Sequence, residues 1–293
     1  MTTDHNAGTV NPQETDTPLP ARLLALALEF TALQDDLYHL HAKKLYAPDI
    51  AAAFATRAAA LTWYIQDVHN SIRHAGLFGS PVVLDVRCRL TLLASQAATA
   101  TEYLRTAETV LQFLPPEETA EASRDPDHAR DVLRRAGHHI HNAGQVTQLG
   151  AADSVRAAAD LAGELRAQGR GGTVQPMSPA QYAALHGIAC GYVTVNALGE
   201  EVASIRRERL SMSTVRSLEA RGWVSREALV RNPGSRAARL YLTDTGRVAL
   251  ASRLDRVPTA KRPAVPAGRH RLGTSLTRSA SGPLGTTGGG WHR

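Results

Sequence analysis

Apolar residues along the first half of the chain recur at alternating spacings of three and four, the signature of helices with one buried side. Leu23, Leu26, Phe30, Leu33, Leu37 and Leu40 predict a first helix with a narrow apolar seam, and Lys43-Lys44 suit its C-terminal end, where the helix dipole favours cations. A second seam starts with Asp49 after Pro48 and runs through Ile50, Phe54, Ala58, Leu61, Ile65, Val68 and Ile72, until Gly76 and Gly79 interrupt it. From Pro81 the same alternation persists through Val83, Val86, Leu90, Leu93, Ala97, Ala100, Leu104, Ala107 and Leu111 to Leu114. That helix would be about 50 Å long at a rise of 1.5 Å per residue. Pro115-Pro116 stops it, and the acidic, polar stretch to Asp127 predicts a loop. Ala129, Leu133, Ala136, Ile140, Ala143 and Val146 mark a fourth helix, and Val155, Ala158, Ala162 and Leu165 a shorter fifth. Seams with a mean period near 3.5 pack at about 20°. Residues 20–168 therefore predict an elongated antiparallel bundle of four or five helices, closed on itself or by a second subunit.

The pattern changes at Gly169-Arg-Gly-Gly172, which opens a linker over 169–177. Ser178-Pro179-Ala180-Gln181 carries a capping box and a proline at the first helical position, predicting a helix from Pro179 to Cys190. Tyr192 to Val195 and Glu201 to Ile205 then predict two short strands. Ser211 is a helix cap flanked by Leu210 and Val215 in staple positions, and Gly222 ends that helix. Trp223-Val224 opens a strand, Asn232-Pro233-Gly234-Ser235 makes a turn, and Leu240-Tyr241-Leu242 returns. Thr243-Asp244-Thr245 starts a closing helix with Val248, Leu250 and Leu254 inward. The unpatterned ends, 1–19 and the basic 257–293, are expected to be disordered.

Ser211-Met-Ser-Thr-Val-Arg-Ser-Leu-Glu-Ala-Arg-Gly222-Trp-Val, followed later by Leu242-Thr-Asp-Thr-Gly-Arg-Val-Ala-Leu250, resembles the recognition helix, wing and closing helix of winged-helix regulators of the MarR and PadR type. The resemblance covers about a quarter of the chain. It implies a mainly α protein in which the helical bundle is joined to an α+β winged-helix-like domain over 178–256. It implies double-stranded DNA as partner, with the helix start, Ser211 included, in the major groove. Ser213, Thr214, Arg216 and Ser217 would face bases, and Arg226, Arg231, Arg236 and Arg239 phosphates, joined by Arg206, Arg207 and Arg209. The chain departs from the family before the recognition helix. Two strands stand where a supporting helix is usual, as in short winged-helix-like domains of high-GC bacteria.

Charge bears on this reading. The chain of 293 residues carries a formal +6, but residues 1–170 hold 15 basic against 20 acidic side chains and residues 171–293 hold 18 against 7. A basic C-terminal half is what phosphate contacts require. Cys88 and Cys190 lie far apart with no metal-ligand spacing, and no basic region followed by an apolar run opens the chain. No stretch approaches the roughly 20 apolar residues of a membrane span. The expectation is a cytoplasmic protein without membrane partner. No G-x-S-x-G, Walker-type loop or dinucleotide fingerprint occurs, so neither an enzyme nor a cofactor is expected. His39, His41, His69, His74 and the run His138-His139-Ile140-His141 lie on three predicted helices, yet lack the paired Glu-x-x-His motifs of dimetal bundles, and no metal is expected. Trp63-Tyr64 could line a pocket for a small-molecule effector, or one of them could close the bundle core. The combined expectation is a homodimeric DNA-binding regulator of transcription. Its rival is a non-enzymatic scaffold whose winged helix meets protein.

Overall fold

In the computed structural model, residues 17–43, 46–77, 79–114, 126–195, 202–204, 209–229 and 237–256 are described. Five helices form the N-terminal part: α1 (Leu19–Lys43), α2 (Pro48–His74), α3 (Pro81–Leu111), α4 (Pro126–Thr147) and α5 (Gly150–Ala167). Proline stands in the first turn of α2 and α3, where its missing N–H would have no helical acceptor and its fixed φ already suits the helix. With 31 residues, α3 is about 46 Å long. It packs along α2, α4 and α5, while α1 packs on α2, α4 and α5.

Burial follows the sequence pattern closely in α2 and α3, where every seam residue from Leu61 to Ile72 at the three-four spacing, and from Val83 to Leu111, is buried. Three elements differ. At the start of α2 the buried residues are Ala51 and Ala55, one position on from the expected Ile50 and Phe54, which are only partly buried. In α4 it is Val132 that is fully buried, while Leu133 is exposed. The helix is rotated by one residue at that turn, so the seam there runs Val132, Ala136, Ile140, Ala143. In α1 the buried set is not a narrow seam, since Ala21, Leu23, Leu24, Leu26, Ala27, Leu28 and Phe30 are all at most 9% exposed. The first half of α1 is buried on most sides because α6 (Pro179–Ala189) and α8 (Asp244–Arg253) pack on it as well as α2 and α5, and only the stripe through Arg22, Ala25 and Glu29 is left open.

The C-terminal part continues from α6 through β1 (Val193–Val195), β2 (Val202–Ser204), β3 (Arg209–Leu210), α7 (Met212–Ala220), β4 (Val224–Leu229) and β5 (Ala237–Leu242) to α8. The strands form one antiparallel sheet in the order β3-β2-β1-β5-β4. The two short strands expected before the capped helix are present, and a third, β3, leads into it. A hairpin thus stands in the place of a supporting helix. The predicted caps form: Ser178 and Gln181 make a full capping box on α6, Ser211 caps α7, and Thr243 caps α8. Gly222 leaves α7 at a φ of +66°, a conformation cheap only for glycine.

One face of the sheet is buried and the other is covered in part. Val193, Val195, Val224, Leu240 and Leu242 are buried on one side with α6, α7 and α8. Arg239 and Tyr241, which alternate with them on β5, point to the other side, where Asp35 of α1 meets Arg239. Segment 169–177 is no slack tether. Arg170 donates to the Ala75 carbonyl at 2.8 Å, the Gln175 N–H donates to the Ser252 hydroxyl at 3.1 Å, and Arg253 donates to the Gln175 and Met177 carbonyls. One hydrophobic core runs from Ala21 in α1 to Leu254 after α8. The two regions that the sequence separates are therefore joined by packing, through α1.

Candidate nucleic-acid interface

The helix α7 is held by its inward side. Val215 and Leu218 are fully buried, and Gln181 of α6 donates from Nε2 to the Ser217 hydroxyl at 2.9 Å. On the opposite side Ser213, Arg216 and Ala220 follow the helical spacing of three and four and are exposed. Ser211, also exposed, accepts from the Ser213 N–H at 3.3 Å, and the two hydroxyls lie 2.7 Å apart. Thr214 is half-buried beside them. Arg216 has no ion-pair partner among the described residues.

Several expected contacts are placed elsewhere. Ser217 faces α6, so it does not join the outward group, because its hydroxyl serves as acceptor in the packing between the two helices. Arg226 lies against Glu219 of α7 with both carboxylate oxygens engaged, the longer contact being 3.1 Å. Its side chain as a whole remains 37% exposed. An exposed pair of this kind is worth about 0–1 kcal/mol, so a phosphate could compete for the arginine. Arg239 is a correction of a different order. It is 4% exposed, donates from Nε to Asp35 Oδ2 at 2.6 Å and from Nη1 to the Gly191 carbonyl at 2.5 Å, and its Nη2 meets the second oxygen of Asp35. A guanidinium with both edges occupied inside the protein is not a phosphate contact. Arg206, Arg207, Arg231 and Arg236 lie outside the described residues, and Arg209 is a β3 residue whose side chain is also outside them.

Strand register orders the rest. Val195, Val202, Leu210, Ala238 and the Leu229–Ala237 pair all lie at one end of the sheet, the end from which Leu210 passes directly into α7. The chain also leaves β4 and re-enters β5 at this end, on either side of the basic 230–236 segment. Ser204 and Arg209, which flank 205–208, lie toward the opposite end, with Val193 and Leu242. The start of α7 and the flanks of the wing segment are thus at the same end, and the flanks of the Arg206-Arg207 segment are not.

No protein-family model, curated protein or solved structure matches the chain.

The buried face of β5 shapes the electrostatics behind this end. Burial, with Asp35 adding to it, pushes the Tyr241 phenol up to about 12, against the smaller opposing pull of Arg239. An acid whose pKa is higher folded than unfolded adds stability below the unfolded value and loses it as pH rises. The contribution of Tyr241 is therefore intact below pH ~10 and is lost between about 10 and 12. Urea midpoints of wild type and Tyr241→Phe followed from pH 8 to 11.5 should converge at the alkaline end, the wild type falling more steeply. Parallel curves would show that the phenol ionises as freely folded as unfolded.

Other expected features settle as follows. Tyr64 is half-buried against the core and donates to the Arg22 carbonyl at 3.3 Å, whereas Trp63 is 73% exposed. The rings of His41 and His141 are 5.4 Å apart, but His69 sits away from them beside Arg87, at 3.3 Å. Among the described residues no three metal-ligating side chains converge. No described helix is long and apolar enough to cross a membrane. Arg221, at the end of α7, was not among the expected site residues; its guanidinium lies 4.7 Å over the Trp223 ring and donates to the Pro176 carbonyl at 2.8 Å. The Arg-Gly-Trp sequence carries the signal, since a cation two residues before an indole across a glycine turn can stack on it.

Proposed function

We propose that the chain is a double-stranded DNA-binding protein that acts as a transcriptional regulator, with the outward start of α7 entering the major groove. The observation that carries the reading is the exposed Ser211, Ser213 and Arg216 at the same end of the sheet as the strands that lead into the basic 230–236 segment. Hydroxyls and one arginine without an ion-pair partner among the described residues suit base edges, since arginine can fork onto the O6 and N7 of guanine. Arg226, Arg231 and Arg236 supply phosphate contacts, which position the protein without reading sequence. Residues 171–293 carry the basic excess that such contacts need. Within this reading the bundle serves self-association, as in a homodimer on two half-sites, or the sensing of an effector.

Arg216→Ala tests the base-reading role. On the tightest duplex selected from a randomised library, the variant should bind about 5- to 150-fold more weakly, from the roughly 1–3 kcal/mol of a good bidentate base contact. On random duplex its loss should be small. Equal losses on both would reassign Arg216 to the phosphates.

One observation favours a second reading. The wing strand is sealed to α1 by Arg239 and Asp35, and the wing's Arg226 is occupied by Glu219. A module so engaged within its own chain also suits a scaffold that meets protein partners. Absence of salt-dependent duplex binding is the result that would select it.

A further inference from the structure

Every exposed position of α2 between Asp49 and Asp67 is uncharged, namely Ala53, Thr56, Ala60, Trp63 and Gln66. The same holds for α3 between Arg87 and Glu102, where Cys88, Thr91, Leu92 and Ser95 are exposed. The two arginines within these stretches turn aside, Arg57 to Glu29 and Asp36 of α1, and Arg89 to Asp85 and to Asp160 of α5. On α4, by contrast, Arg130, Arg134 and Arg135 are exposed. A helix face that meets only water is ordinarily polar and charged. Here Trp63 and Leu92, 73% and 54% exposed, stand above alanine, serine and threonine.

The contact of Arg87 with His69 at 3.3 Å fixes the level of α3 beside α2. Because α3 returns along α2, the two uncharged stretches lie side by side. Charge comes back at their ends. Asp49 and Asp67 on α2 are 18 positions apart, as are Arg87 and Arg105 on α3, so one helix carries acids at both ends and the other bases. Glu102 stands three residues before Arg105, a spacing at which opposite charges on one helix are neighbours. Asp67 also meets Arg22, but Asp49 and Arg105 have no ion-pair partner among the described residues. The face between these four corners is about 27 Å long, from the helical rise, and about 20 Å wide, from two packed helices.

We propose that this face binds a second copy of the chain, about a two-fold axis that runs along the groove between α2 and α3. Each α2 then lies on the partner's α3, antiparallel, at the level the two helices hold within one chain. Asp49 comes level with the partner's Arg105, and Asp67 with the partner's Arg87. Overlapping α2 with the partner's α2 instead would set Asp49 against Asp67, and α3 on α3 would set Arg87 against Arg105, so the charges select the first arrangement. Trp63 comes level with the partner's Thr91, Ala94 and Ser95, small side chains that leave room for an indole, and a buried tryptophan is a common anchor of interfaces. The two faces together bury about 1,100 Å², above the ~1,000 Å² that a specific interface needs. The inference rests on the self-association that the proposed function gives to the bundle, and not on DNA binding.

The test is sedimentation equilibrium of the full-length protein, without nucleic acid, over a wide range of concentration. Wild type should form a reversible dimer of twice the 31.4 kDa chain. Trp63→Ser should raise the dimer Kd about tenfold or more, as truncating a central anchor does, and Leu92→Ser should raise it less. Both side chains are exposed, so the variants should keep the far-UV dichroism of wild type. Leu149→Ser, on an equally exposed side chain in the turn between α4 and α5, should leave the Kd unchanged. Arg105→Asp should weaken the dimer about fivefold, the upper range of an exposed pair, and adding Asp49→Arg should recover most of that loss. A monomer at every concentration, a Kd indifferent to Trp63→Ser and Leu92→Ser, or a loss in Arg105→Asp that Asp49→Arg does not repair would overturn the proposal. Duplex binding takes no part in these readouts, so failure here and failure of the DNA reading are separate results.

Discussion

Asp35→Ala should destabilise the protein by about 3–5 kcal/mol, the cost of leaving a buried charge without its partner. Arg239 and Asp35 are 5% and 12% exposed in their side chains and meet through both edges of the guanidinium. In the variant the Gly191 carbonyl alone would remain as acceptor. The pair itself need not be a net stabiliser, because desolvating two charges offsets most of their attraction. The double variant Asp35→Leu with Arg239→Met should accordingly recover most of the loss. Urea unfolding of the single and double variants measures both quantities. A single-variant loss within about 0.5 kcal/mol, the range of an ordinary surface change, would mean that β5 and α1 are not locked together.

Phe30→Ala should cost a similar ~3–5 kcal/mol, and its effect should reach the whole described chain. Phe30 is fully buried in α1, with its ring against the α carbon of Gly150, where no side chain could be added. Since α1 belongs to one core with the bundle and with α6 and α8, both regions should melt together. Far-UV dichroism reports mainly the bundle. Trp223 fluorescence, in a background with Trp63 and Trp291 replaced by phenylalanine, reports the α+β part. Coincident transitions displaced together are the expected result. A bundle that loses stability while the Trp223 transition stays in place would show two independent domains.

Much of the architecture is legible in the residues, and the limits have physical causes. Helical periodicity shows which side of a helix is apolar, and so α3, and α2 from Ala58 onward, match their seams. It does not show how many neighbours a helix has. The run Leu23-Leu24-Ala25-Leu26-Ala27-Leu28 is apolar on every side, the sign of an enclosed helix, and the seam through Leu23, Leu26 and Phe30 is only part of that pattern. Caps at Ser178, Ser211 and Thr243 are local chemistry and appear where the sequence puts them. Arg239 shows the opposite case. Alternation on β5 sets it on the face away from Leu240 and Leu242, but whether that face meets solvent, phosphate or another helix depends on Asp35, 204 residues away in sequence. Ser217 differs from Ser213 for a similar reason: it lies only about 40° round α7 from Ser213, and what takes it out of the outward group is the hydrogen bond from Gln181 of α6, distant in sequence. The two-residue β3 is too short for any period to register.

The measurement that bears most directly on the proposed function is binding of the full-length protein to random duplex DNA across a salt series, followed by fluorescence anisotropy. The whole chain is required because the α+β part shares its core with α1. The account predicts an association constant that falls linearly on a log–log plot, with a slope of about −0.9 for each phosphate neutralised, and a shallower slope for Arg236→Ala. No binding at low salt, where screening is weakest, would contradict it and leave the winged-helix-like part as a surface for protein.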